Sequence, residues 1–110
     1  MKISKETQEK ITELQLLEQN MQSFLIQRQN FQAQLTEIES ALNEIKKSKD
    51  AYRIIGNIMV NAEKKDLEKD LKQKKEMFEL RIKSIEKQEE KLKEKASKIQ
   101  EEVMKQMSKK

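Results

Sequence analysis

A chain of 110 residues that is 40% charged and 35% apolar, with one Gly and no Pro or Trp, is too polar to wrap a compact core of its own. It has no Cys and no His, which excludes disulfides, thiolate zinc sites, Cys nucleophiles and Ser-His-Asp triads, and a single Gly excludes a glycine-rich phosphate loop. Its 24 basic and 20 acidic side chains nearly balance, and its apolar residues recur with a period, so helices that bury a narrow stripe against a partner fit better than disorder.

The first element is a helix over about 5–47. Ser4 is placed to cap it, with Glu6 in its first turn. Positions spaced alternately three and four apart read Leu14, Leu17, Met21, Phe24, Arg28, Phe31, Leu35, Ile38, Leu42 and Ile45, and nine of the ten are apolar. That is the heptad seam of a coiled coil, on a helix on the order of 65 Å long. Backwards the seam runs through Lys10, Thr7 and Ile3 and weakens.

A β-hairpin is expected over about 51–62. Tyr52, Ile54 and Ile55 precede the sole Gly-Asn pair, Gly56-Asn57, and Ile58, Met59 and Val60 follow it. Two short runs rich in β-formers around such a pair predict a tight two-residue turn. These side chains exceed what one hairpin buries beneath itself. They form either a plug on the coiled-coil end or, the favoured reading, an assembly surface for hairpins of other subunits.

A second helix over about 64–107 carries Leu71, Phe78, Ile85, Leu92 and Ile99 at seven-residue intervals. The companion positions Lys75, Ile82, Glu89, Ala96 and Val103 suit a core less well, so this helix needs the first one. The chain is thus a single domain over 1–110, mainly α, an antiparallel two-helix coiled coil joined by the hairpin. The turn makes partner numbers sum to about 113, so that Leu14 meets Ile99, Phe31 meets Ile82, and both chain ends share the distal tip. The core breaks Arg28 and Glu89 fall about one turn apart, as an ion pair or as two solvated side chains.

Near the ends the apolar residues leave the seam, at Ile11 and Leu16 in the first helix and at Met104 and Met107 in the second. Ile3, Leu14, Ile99 and Val103 lie on or beside it in a thinning core. Read blandly, this is a frayed helix end; read functionally, it is an adaptable apolar surface, to which unbranched Met side chains are suited. Leu25 and Ile26 also lie off the seam.

The excess charge of +4 sits entirely in 91–110, with seven Lys against three Glu, including Lys105, Lys109 and Lys110. No Arg-rich stripe or row of aromatics accompanies it, which disfavours nucleic acid. No apolar run approaches the roughly 18 residues of a membrane span, and no export signal is visible, so the cytosol is the expected compartment.

Helix, hairpin and helix in this order resemble a prefoldin β-type subunit. Tyr52-x-x-x-Gly56-Asn57 with Ile58-Met59-Val60 is similar to the family's hairpin segment, and Leu80-Arg81-Ile82-Lys83-Ser84-Ile85-Glu86-Lys87-Gln88-Glu89 to its second-helix motif. An archaeal β subunit and the sixth, β-type subunit of the eukaryotic complex fit equally. The resemblance implies a hexamer, two α and four β subunits in archaea, whose hairpins form a double β-barrel platform bearing six coiled coils. It implies capture of non-native polypeptides at the tips, here Ile3, Ile11, Leu14, Ile99, Val103, Met104 and Met107. It also implies delivery to a group II chaperonin without nucleotide hydrolysis, with Lys105, Lys109 and Lys110 as a candidate chaperonin contact. No cofactor and no enzymatic role are expected. The alternatives are a structural coiled-coil adaptor and a nucleic-acid-binding coiled coil that uses the basic tip.

Overall fold

The computed structural model describes residues 4–108; Ile3, Lys109 and Lys110, singled out above, lie outside the described residues. The elements are α1 (Lys5–Lys47), β1 (Ala51–Ile55), β2 (Ile58–Ala62) and α2 (Lys64–Ser108). Two helices joined by a two-stranded antiparallel hairpin are the expected mainly α architecture, and the helix bounds differ from expectation by one residue, at the end of α2.

Local chemistry explains the ends. Ser4 is the N-cap of α1: its Oγ accepts from the Thr7 backbone N–H at 3.1 Å and lies 2.8 Å from Thr7 Oγ1. The last turn of α1 carries Lys46 and Lys47, whose charge complements the helix C-terminus. Ser48 closes that end, donating its Oγ–H and its backbone N–H to the Glu44 carbonyl. Asp66 supplies the matching negative charge in the first turn of α2.

The residues divide into two compact units, each containing a length of both helices. The terminal unit comprises residues 4–28 and 84–108. Leu17, Ile99 and Val103 are buried at its centre, with Ile11, Leu14, Leu92 and Ala96 packed around them. Ile11 was expected to leave the seam; instead it packs against this cluster. It lies four residues beyond the seam position Thr7, at the edge of the stripe, where an apolar side chain still reaches the core.

Polar pairs close the terminal unit across its two helices. Buried Thr7 donates its Oγ1–H to Gln106 Oε1. Lys10 Nζ lies 3.0 Å from Glu102 Oε2, and Lys95 Nζ 3.9 Å from Glu13 Oε1. Arg28 Nε donates to Glu89 Oε1 at 2.7 Å, so the two breaks in the apolar seam meet as an ion pair.

The hairpin unit comprises residues 29–83. Leu35, Phe78 and Ile82 are buried there against Phe31 and Ile38. The Phe31 and Phe78 rings lie 5.7 Å apart at 44°, and the Arg81 guanidinium sits 5.6 and 5.9 Å from their centroids. That geometry suits a cation over two aromatic faces. Every described seam position on both helices is buried or half-buried, yet no large side chain among the described residues is fully buried. Stability is therefore spread thinly over many partial contacts.

Candidate functional site

The hairpin pairs Ala51 with Ala62, Tyr52 with Asn61, Arg53 with Val60, Ile54 with Met59, and Ile55 with Ile58. Gly56 and Asn57 form the two-residue turn. Gly56 has φ +61°, and among the described residues none other than glycine has positive φ, the sign pattern of a type II′ turn. A Cβ at Gly56 would meet nothing within 4 Å, so this position needs glycine for its backbone angle and not for space.

Alternation gives the hairpin two faces. Ala51, Arg53, Ile55, Ile58, Val60 and Ala62 share one, on which Ala51 is buried, Arg53 and Ala62 are half-buried, and Ile55, Ile58 and Val60 near the turn are exposed. Tyr52, Ile54, Met59 and Asn61 share the other, which is open. Ile54 is 70% exposed, and Tyr52, Ile55, Ile58, Met59 and Val60 are exposed as well. The hairpin is therefore not a plug. Six large apolar side chains on ten strand residues stand in water, a concentration that soluble surfaces avoid unless something covers it.

One ion pair ties the strands to α2. Arg53 Nη2 donates to Asp70 Oδ2 at 2.5 Å. The hydrogen bond from Arg53 holds the Asp70 carboxyl below the usual carboxylate range, with the charges of Arg53, Lys74 and Lys69 acting in the same direction. At the base of the hairpin Lys64 Nζ donates to the Lys46 carbonyl at 3.2 Å.

The terminal unit offers a second apolar surface. Met104 is 66% exposed, and Met107 and Leu16 are also exposed. Ile99 and Val103 are buried and Leu14 and Ile11 half-buried, so these four reach solvent little while their helices stay paired. Leu25 is half-buried and Ile26 exposed. Lys105 stands exposed in the last turn of α2, where its charge complements the helix C-terminus. Sequence reasoning did not single out Met77, and named Leu80 only within the second-helix motif and not as apolar surface, though both are exposed on α2. Their signal was present, since both fall outside the heptad seam.

The sequence profile of the prefoldin subunit family matches residues 8–110. The chain belongs to that family. It is 40% identical over 98 residues to the prefoldin subunit beta of Archaeoglobus fulgidus, spanning 86% of this chain and 84% of that one. It is 35% identical over 104 residues to the prefoldin subunit beta of Methanospirillum hungatei, spanning 92% of this chain and 87% of that one. The crystal structure of the prefoldin beta subunit from Thermococcus strain KS-1 superposes with a TM-score of 0.93 over 99% of this chain and 98% of that one, at 28% identity. A chaperone role and assembly with other prefoldin subunits are what membership in the prefoldin family implies. No helix among the described residues is long and apolar enough to cross a membrane.

Proposed function

We propose that this chain is a β-type subunit of an ATP-independent holdase, a cytoplasmic hexamer of two α-type and four β-type subunits joined through their hairpins. In this reading the terminal unit captures non-native polypeptides, and the complex passes them to a group II chaperonin. One observation carries the reading: each compact unit has its own exposed apolar surface, the hairpin in one and Leu16, Met104 and Met107 in the other. A structural spacer has use for the first and none for the second. Two exposed Met side chains give a pliable surface without a fixed shape, as varied clients require. Each terminal unit binds weakly alone, and several on one assembly gain roughly 10²–10⁴ in avidity when geometry allows.

The test is client aggregation followed by light scattering, without ATP, using this chain co-assembled with an α-type prefoldin subunit. Leu16→Ser, Met104→Ser and Met107→Ser together change only exposed side chains and spare the buried Ile99 and Val103. The variant complex should keep its mass and lose most of its protection of the client. Equal protection by both complexes would remove the terminal unit from client capture. For the chaperonin, Lys105→Glu, Lys109→Glu and Lys110→Glu should lower binding several-fold by surface plasmon resonance and leave client capture intact. Unchanged chaperonin binding would leave those lysines a solubilising role only.

A further inference from the structure

We infer that the Arg53–Asp70 ion pair is a positioning latch that selects which face of the hairpin is offered for assembly. The inference rests on the reading of the hairpin as the assembly surface and goes beyond it. A two-stranded hairpin has two faces, and either could be packed against a neighbour when its edges pair. Here one face carries Tyr52, Ile54 and Met59 and no charge, and the other carries Arg53 with Ala51, Ala62 and Val60, and Ile55 and Ile58 beside the turn. Arg53 is the only charged side chain on either strand. It reaches α2 and is met by Asp70 at 2.5 Å.

Little else fixes the attitude of the hairpin. Ala51 is the one buried strand residue, and its methyl group is small. Beyond Arg53, every residue of β1 and every residue of β2 up to Asn61 is exposed. Alanine contacts at the base leave the strands free to tilt or roll, whereas a charge-assisted hydrogen bond from the third residue of β1 to α2 opposes both. The latch also acts by exclusion. With Arg53 and Asp70 paired, the base of the charged face stays turned to α2 and only its end at Ile55 and Ile58 is open, so a neighbour that packed along this face would have to desolvate an ion pair. The open face carries no charge and meets no such barrier.

An exposed ion pair is weak by itself, but each interface in an assembly joins two hairpins, so a small loss of order in each is felt twice. The experiment follows assembly with an α-type prefoldin subunit across a dilution series, with mass read by light scattering and helix content by circular dichroism. Arg53→Gln and Asp70→Asn should each raise the midpoint concentration for assembly about three- to tenfold, with helix content unchanged. The charge exchange of Arg53→Asp with Asp70→Arg should recover most of that loss. Assembly of the parent chain should weaken with added salt more steeply than assembly of either single variant. Ile54→Lys with Ile58→Lys serves as the reference for the reading on which the latch depends. If that variant assembles normally, the hairpin reading falls and the latch with it. If it fails to assemble while Arg53→Gln assembles at the parent concentration, or while the charge exchange is no better than the single variants, the latch alone is refuted.

Discussion

The terminal unit and the hairpin unit are built from lengths of the same two helices, yet they solve the pairing problem differently. In the terminal unit the apolar stripe thins, and four polar pairs span the helices: Thr7–Gln106, Lys10–Glu102, Glu13–Lys95 and Arg28–Glu89. In the hairpin unit the stripe is heavier, with Phe31, Phe78 and Ile82 at its centre, and a covalent turn fixes the register. Polar pairs set register by direction at some cost in cohesion, and aromatic burial supplies cohesion with little direction. A unit held by polar pairs keeps apolar side chains free for something else, here Met104 and Met107. The hairpin unit instead concentrates its spare apolar surface on two strands that no helix covers.

The largest expected effect breaks the hairpin side of this comparison. Ile54→Lys with Ile58→Lys should abolish assembly, because charges would enter an apolar strand interface, while circular dichroism still shows both helices. Retained complex mass would show that the strands do not hold subunits together. Cohesion is compared next. Phe78→Ala should cost about 3 kcal/mol and Ile99→Ala about 2 kcal/mol in chemical unfolding, the low end for such truncations because neither site is sealed from water. An equal or reversed order would mean that the hairpin unit is not the more cohesive of the two.

A smaller effect isolates the polar seam. Glu89→Ala leaves Arg28 half-buried without its partner and should cost about 1 kcal/mol. Replacing both residues by Leu should be neutral or stabilising, since an apolar seam needs no desolvation of charge. A double variant less stable than Glu89→Ala would show that the ion pair adds cohesion as well as register.

The smallest effects lie at the ends of the pH scale and separate the two units again. Asp70 has its pKa depressed by the hydrogen bond from Arg53, so its contribution is present above the ordinary value of 3.8 and is lost as pH falls through the depressed value. Lys10 has its pKa raised above 10.5 by its hydrogen bond to Glu102, with the charges of Glu102 and Glu6 assisting. Its contribution is present below 10.5 and is lost as pH rises through the raised value. In unfolding midpoints measured against pH, Asp70→Asn should flatten only the acid limb and Lys10→Met only the alkaline one. A change on the opposite limb would contradict these assignments.

Much of this was readable from spacing alone. The alternation of three and four placed every seam residue from Leu14 to Ile45 on the covered side, and Gly56-Asn57 located the turn. The N-cap at Ser4 followed from its chemistry, while the register brought Arg28 and Glu89 only to within about a turn, and left open the ion pair that they form. Contacts that depend on how one element is turned against its neighbour were not readable. Arg53 meets Asp70 only because the hairpin presents one face to α2, and alternation does not say which face. Arg81 reaches Phe31 and Phe78 from beside the seam, and Thr7 finds Gln106 from a position that reads as a weakening of it. For the apolar surface near the chain ends, spacing identified the candidates, and burial sorted the exposed Met104, Met107 and Leu16 from the covered Ile99 and Val103.

The central claim is that the two units divide the work, assembly to the hairpin and capture to the terminal unit, and the methionines provide the most direct test. Met59 lies on the open hairpin face, Met77 on α2 in the hairpin unit, and Met104 and Met107 in the terminal unit. Methionine in this chain can be replaced throughout by its diazirine analogue, and the chain assembled with an unlabelled α-type prefoldin subunit, loaded with an unfolded client and irradiated. Mass spectrometry then assigns each adduct to its position. The account predicts subunit-to-subunit adducts at Met59 and client adducts at Met104 and Met107. Client adducts at Met59 or Met77, with none at Met104 and Met107, would contradict it.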